Sequence, residues 1–209
     1  MKIPASDFAK RLGIDDFSET VLAKALTRCP AISEGGPWIA GGAVRNTIAG
    51  NPLDSDWDFF FANEQQAKDF EDELSGNLVK QTDKASTFML PAKIPEGMEG
   101  EGVVLPQMDI QAIKFQFYPS ADAVIESFDY TISQFSFDGT DIYVSPFALW
   151  DLARKRLVPT KITFAAASVR RMLKYAKQGY TLCPGAITDV LQQVVNDPRI
   201  IEADTQYID

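Results

Sequence analysis

Two aspartates at alternate positions, Asp56 and Asp58, are interleaved with Trp57 and Phe59 in the run SDWDFFF. Successive side chains of an extended strand point to opposite faces, so the carboxylates project side by side and the rings point the other way. Carboxylates held that close repel unless a cation lies between them, and the spacing predicts a divalent metal. Upstream, Gly41-Gly42 follows a short apolar run, Trp38–Ala40, and opens a segment read as a helix from Ala43 to Ala49. The glycine pair lets backbone N–H groups approach a ligand, and the helix directs the positive end of its dipole there. A phosphate cradle and a metal site joined by one helix point to nucleoside triphosphate chemistry.

A third carboxylate comes from MDIQAIKFQF, read as a strand from Met108 to Phe117 with Asp109, Gln111 and Ile113 on one face. A lone acid on a core strand is costly to bury without a partner. Set beside the Asp56/Asp58 strand, Asp109 completes a three-carboxylate metal site. The chain contains no histidine, which excludes Ser-His and Cys-His triads, histidine bases and most zinc sites. Chemistry is left to carboxylates, Lys/Arg, hydroxyls or metal. Cys29 and Cys183 stand apart and read as reduced thiols.

The elements that must position these groups follow from periodicity. Ser6 or Asp7 is read as the cap of a short helix ending at Gly13, and Asp16–Cys29 as a longer one, stopped by Pro30. The chain turns at Gly50-Asn51-Pro52 before the acid-bearing strand, and Glu64–Leu74 reads as a polar helix with Phe70 and Leu74 inward. Leu78–Gln81 and Thr87–Leu90 are read as short strands, and the Pro-, Gly- and Glu-rich Pro91–Pro106 as an exposed loop or hairpin tip. A helix over Ala121–Phe128 precedes an alternating strand over Asp129–Phe137, a turn at Asp138-Gly139 and a return strand over Asp141–Val144. Three helices are expected after that: Pro146–Leu157, ending in the basic cluster Arg154-Lys155-Arg156; Ala165–Gln178, carrying Arg170, Arg171, Lys174 and Lys177; and Ala186–Val195, before an acidic tail expected to fray.

The 209 residues suffice for one sizeable core. The hydrophobic share of 45% and charged share of 23% are those of a globular protein. No apolar run approaches the ~20 residues of a membrane span. The start MKIPASDFAKRLG lacks a signal-peptide core, which reads as a cytoplasmic protein without membrane contact. A net charge of −9 argues against a broad nucleic-acid-coating surface.

GGAVRN, DSDWDFF, MDIQAI and FDYTIS, in that order, resemble the head domain of the DNA polymerase β-like nucleotidyltransferase superfamily. The pattern is most similar to class II tRNA nucleotidyltransferases (CCA-adding enzymes) and bacterial poly(A) polymerases, over roughly Trp38 to Gly179. The resemblance implies an α+β fold: a mixed, mainly antiparallel sheet flanked by helices, with a short helical C-terminal neck. It divides the chain into N-terminal packing helices (1–30), a nucleotidyltransferase head (31–150) and a neck-like segment (151–209). It implies two Mg²⁺ ions, replaceable by Mn²⁺, on Asp56, Asp58 and Asp109. The alternative pair is Asp54/Asp56; Asp56/Asp58 is preferred because apolar strand residues follow the family's second aspartate, as Phe59-Phe60-Phe61 follow Asp58. Gly41 and Gly42 would hold the triphosphate through backbone N–H groups, Arg45 would support that site, and Asp129 and Arg171 would contact the nucleotide.

The departures are specific. Asn46 stands where the family has aspartate, Ser127-Phe128 replace an Arg-Arg pair, and Ser133 replaces an asparagine. In the neck, Ala167-Ser168-Val169-Arg170-Arg171 keeps an arginine of the family's base-reading E-D-x-x-R and loses both acids. The expected activity is metal-dependent transfer of a nucleoside monophosphate from ATP or CTP to an acceptor hydroxyl, with release of pyrophosphate. The acceptor stays open between an RNA 3′ end and a protein or small-molecule hydroxyl. A nucleotide-binding module that has lost catalysis is the alternative, and oligomeric state is not readable.

Overall fold

A computed structural model describes residues 1–11, 13, 15–94 and 104–196. The chain begins with a strand, β1 (Lys2–Pro4), that runs directly into α1 (Ala5–Arg11). Ser6 and Asp7 thus lie inside the first helix and do not cap it. The helix expected over Asp16–Cys29 is divided. Phe17–Glu19 forms a 3-10 turn, and extended Thr20 (φ −66°, ψ 149°) caps α2 (Val21–Leu26) by accepting from the Ala23 N–H through its side chain. A hydroxyl able to cap a new helix therefore interrupts the periodicity.

β2 (Trp38–Ala40), α3 (Gly42–Ala49) and β3 (Trp57–Phe60) follow the expected order, and α4 (Glu64–Glu73) starts from an Asn63 cap. Phe70 and Leu74 are buried, as the spacing predicts. β4 (Leu78–Gln81) and β5 (Ala85–Leu90) form a hairpin. Of the expected loop, Lys93 pairs with Leu105 in an antiparallel bridge, while residues 95–103 lie outside the described residues.

β6 (Met108–Ile113) is shorter than expected because its partner β5 begins at Ala85, opposite Ile113. One further bond, from Lys114 N–H to Lys84 O, ends the pairing. α5 (Ala121–Glu126) is capped by Ser120. The strand expected over Asp129–Phe137 is a strand only at β7 (Phe135–Phe137), because Thr131–Ser133 form a 3-10 turn. Their groups bond to the C-terminal segment instead of a neighbouring strand: Thr131 N–H donates to Val158 O, and Tyr130 bridges Pro159. β8 (Asp141–Val144) returns, and α6 (Ala148–Ala153) ends before the basic cluster, where Lys155 turns into the left-handed region at φ 50°. Arg154 and Lys155 are therefore turn residues and Arg156 bridges Thr181, so none of the three is helical. α7 (Ala165–Lys177) stops before Gly179 (φ 87°), and α8 (Pro184–Asn196) is the last element; the acidic tail lies outside the described residues.

The eight strands form one sheet in the order β1-β8-β7-β2-β3-β6-β5-β4, antiparallel except for the central β3/β6 pair. The N-terminal segment contributes an edge strand as well as helices. Trp57, Phe59, Ile39 and Ile110 are buried in the larger core with Val44 of α3 and Phe70 of α4. The other face has a smaller core, in which Ala121, Val124 and Ile125 of α5 meet Trp38, Ala40 and Phe60. Asp58 pairs with Ala40, and Phe60 with Trp38, so the acids lie on this second face, beyond the apolar patch α5 covers. Among the described residues no helix is long and apolar enough to cross a membrane.

Candidate active site

The parallel pairing sets the acids. Asp58 lies opposite Gln111 and Trp57 opposite Ile110, a register that carries Asp56 alongside Asp109 on one face. Burial raises the Asp56 carboxyl above the ordinary aspartate range; Lys174 lowers it and Asp109 raises it further. Amides hold two of the acids: Gln111 Nε2 donates to Asp56 Oδ2 (3.0 Å) and Gln107 Nε2 to Asp109 Oδ1 (3.2 Å). Asp58 carries the largest perturbation. Burial, then the Asp56 charge, pushes its carboxyl up to about 7, against the opposing pull of Arg171 and Lys174. The three acids share one face, yet among the described residues no three Cys, Asp or Glu side chains converge into a ready-made metal site.

Beside Asp58 the chain turns into α3. Gly41 has φ 78° and ψ −127°, backbone that only glycine adopts freely. A Cβ there would lie 3.8 Å from Asp58 Oδ2 and 3.6 Å from the Phe128 ring, while one on Gly42 would strike Ser55 Oγ at 2.7 Å. The Gly41 N–H donates to Phe135 O at 2.8 Å, so this N–H is already engaged and, contrary to the expectation for it, Gly41 contributes conformation in place of a donor. The N–H groups without an acceptor inside the helix at this end are those of the first turn of α3, which starts at Gly42. Ser55 Oγ is buried and, among the described residues, has no hydrogen-bond partner. Three carboxylates, a buried hydroxyl and a helix start are, by donor chemistry, a fit for a hard divalent cation and a phosphate group.

α7 docks on the segment Asp129–Ser133. Arg171 Nη1 pairs with Asp129 Oδ2 at 2.7 Å, and Ser168 Oγ donates to the same oxygen at 2.7 Å. Tyr130 Oη donates to Ser168 O (2.9 Å), and Ser133 Oγ and Tyr175 Oη lie 2.8 Å apart. Thr131 Oγ1 donates to buried Asp151 on α6 at 2.8 Å, which ties the DYTIS segment to the passage into the neck. Residues 168, 171 and 175 recur at helical spacing, so one face of α7 docks on the head while Arg171 and Lys174 act on the acids.

The sequence-predicted residues thus separate into two groups. Asp56, Asp58, Asp109, Gly41 and Gly42 share one end of the sheet, with Asp129 and Arg171 joined to each other at the neck. Arg45 is not brought to them. It is buried, its Nε and Nη2 both lie 3.4 Å from Asn46 Oδ1, and its guanidinium stacks 5.1 Å from the Tyr175 ring. Asp54 accepts from Asn46 Nδ2 at 3.2 Å and lines the same cavity as Arg45, which Asp56, Asp58 and Asp109 do not reach. Lys174, Gln111, Ser55 and Ser168 were missed. Lys174 had a signal in its position three residues after Arg171 on a strongly periodic helix, and Gln111 in the strand alternation that sets it on the face of Asp109.

A family model described as Gad2, Gabija anti-defense 2 family protein, matches residues 9–155. Among solved structures, the Thermotoga maritima CCA-adding enzyme complexed with tRNA is similar at TM-score 0.55 and 16% identity, covering 97% of this chain and 48% of that one. A CCA-adding enzyme in apo form I aligns at TM-score 0.54 and 15% identity, with 97% and 48% coverage. A CCA-adding enzyme complex with ATP aligns at TM-score 0.52 and 16% identity, with 97% and 47% coverage. At such identity the likeness shows the fold, which is nucleotidyltransferase-like, and the chain spans about half the length of these structures. No protein of curated function matches the chain.

Proposed function

We propose that this chain, which belongs to the Gabija anti-defense 2 family, is a metal-dependent nucleotidyltransferase that moves a nucleoside monophosphate from an NTP to an acceptor hydroxyl. One observation carries the reading: Asp56, Asp58 and Asp109 share a face at the start of α3, opposite Arg171 and Lys174. Asp56, Asp58 and Asp109 would hold Mg²⁺ or Mn²⁺, which supplies charge neutralisation at the phosphates and a more acidic acceptor hydroxyl. The first-turn N–H groups of α3, beginning at Gly42, receive the triphosphate. Lys174, which acts on both Asp56 and Asp58, offsets the charge that builds on the departing pyrophosphate. Asp109, on the exposed rim of the face, accepts the hydroxyl proton, which no histidine is present to take.

Asp129 and Arg171 stand at the nucleotide's far end. The neck acids of the related pattern are absent, and Asp129 brings a head carboxylate to the neck arginine in their place. This pair offers an acceptor and a donor side by side for a base edge. The family description favours an acceptor belonging to the defence its members counter, and the net charge of −9 weighs against an extended RNA track. The test is to incubate the protein and Mg²⁺ with labelled ATP or CTP, and to offer Gabija proteins, total RNA and a small-molecule extract separately. Labelling of one acceptor class, abolished by Asp56→Asn, supports transfer. Tight NTP binding with no labelled product from any class favours a nucleotide-binding module.

A further inference from the structure

Arg45 raises a separate question. Its side chain is 4% exposed, and among the described residues no carboxylate pairs with it. Its recorded contacts are one carboxamide oxygen, reached by two donors at the long distance of 3.4 Å, and the face of the Tyr175 ring. A guanidinium taken out of water without a counter-charge is costly, and a cation–π contact returns part of that cost. The remaining donors border a cavity of about 530 Å³ between α1, α3, α6 and the chain beyond α7. This is the size of a small-molecule site.

The lining has two characters. Phe8, Leu149 and Leu152 supply an apolar wall, and Arg45, Lys155 and Tyr180 supply polar groups. Burial raises the Tyr180 hydroxyl above the ordinary tyrosine value, while the Arg45 charge draws it down, so cation and phenol face the same space. Lys155 is exposed and, among the described residues, is the one non-glycine with positive φ (50°). Backbone held in that region is strained and recurs where ligands are clamped. The acid on the lining is Asp54, exposed and held by Asn46.

We propose that this cavity is a second ligand site, distinct from the carboxylate face, that takes a phosphate monoester with an apolar or aromatic body. The phosphate would meet the Arg45 guanidinium and the Lys155 ammonium, and the organic part the wall of Phe8, Leu149 and Leu152. A guanidinium fork plus an ammonium match the dianion better than a monoanion. The inference is independent of nucleotidyl transfer, since none of Asp56, Asp58, Asp109, Arg171 and Lys174 lines the cavity.

Calorimetric titration of metal-free protein in EDTA with phenyl phosphate and with inorganic phosphate tests it. Phenyl phosphate is expected to bind with Kd ~1 mM or tighter, and inorganic phosphate roughly tenfold more weakly. Lys155→Gln, a surface change that leaves the core intact, should weaken both by at least about tenfold, and Arg171→Gln should leave both unchanged. Arg45→Lys, which keeps the charge and loses the fork, should weaken phenyl phosphate as well. Three results would overturn the proposal: no heat up to ~10 mM ligand, equal affinity for the two probes, or binding lost in Arg171→Gln and kept in Lys155→Gln.

Discussion

At Asp58 two influences oppose each other. Burial and the neighbouring Asp56 charge favour the neutral carboxyl, and Arg171 and Lys174 favour the anion; the first pair wins, leaving the group at about 7 against an ordinary 3.8. The folded state therefore holds this proton more tightly than the unfolded chain. The stabilisation is fully present below pH 3.8 and is lost as pH rises through about 7. In EDTA, Asp58→Asn should gain stability relative to wild type as pH climbs from 4 to 8, by about 1–3 kcal/mol in urea denaturation. Added Mg²⁺ at pH 8 should raise the melting temperature of wild type and leave Asp58→Asn unmoved. A difference between the two proteins that stays flat with pH would refute the electrostatic reading. Gly41 gives a second residue-scale prediction. Alanine at φ 78° and ψ −127° should cost about 1–3 kcal/mol of stability, measured the same way.

At the scale of elements, the seam between α7 and the head decides whether Arg171 and Lys174 reach the acids. Ser133 and Tyr175 meet hydroxyl to hydroxyl across it, 2.8 Å apart and buried. A double-mutant cycle of Ser133→Ala and Tyr175→Phe should show a coupling of about 0.5–1.5 kcal/mol, and additive losses would mean that the contact does not hold the seam. This scale also shows what the sequence could and could not tell. α3 and α7 were legible from helical spacing and the glycines that close them, Gly50 and Gly179, and α4 from the inward spacing of Phe70 and Leu74. The DYTIS segment misled, since its alternation reads as strand while its groups bond to the neck: Asp129 to Ser168 and Arg171, and Thr131 to Asp151. Such partners lie 20 to 42 residues away and leave no local trace. The break at Thr20 went unseen because a threonine in a helical pattern looks the same whether it caps or continues.

For the whole molecule, the acid face was readable from spacing and order of motifs, since strand alternation fixes which side chains share a face. The position of Arg45 was not, because which flank of α3 its side chain takes depends on how α6 and α7 pack against it. A net charge of −9 works against an extended basic track for nucleic acid, and the exposed Arg154, Lys155 and Arg156 form only a local cluster. Non-specific RNA should therefore bind no more tightly than Kd ~10⁻⁴ M at physiological salt in a gel-shift assay. Micromolar binding, reduced by removing charges on α7, would point to an RNA acceptor instead. The claim on which the rest depends is that the face of Asp56, Asp58 and Asp109 is one metal-dependent nucleotide site. Calorimetry with a non-hydrolysable NTP, with and without Mg²⁺, tests it most directly. Binding should tighten at least about tenfold with Mg²⁺ and lose that response in Asp58→Asn that keeps its native circular dichroism. Binding that ignores both the metal and the substitution would contradict it.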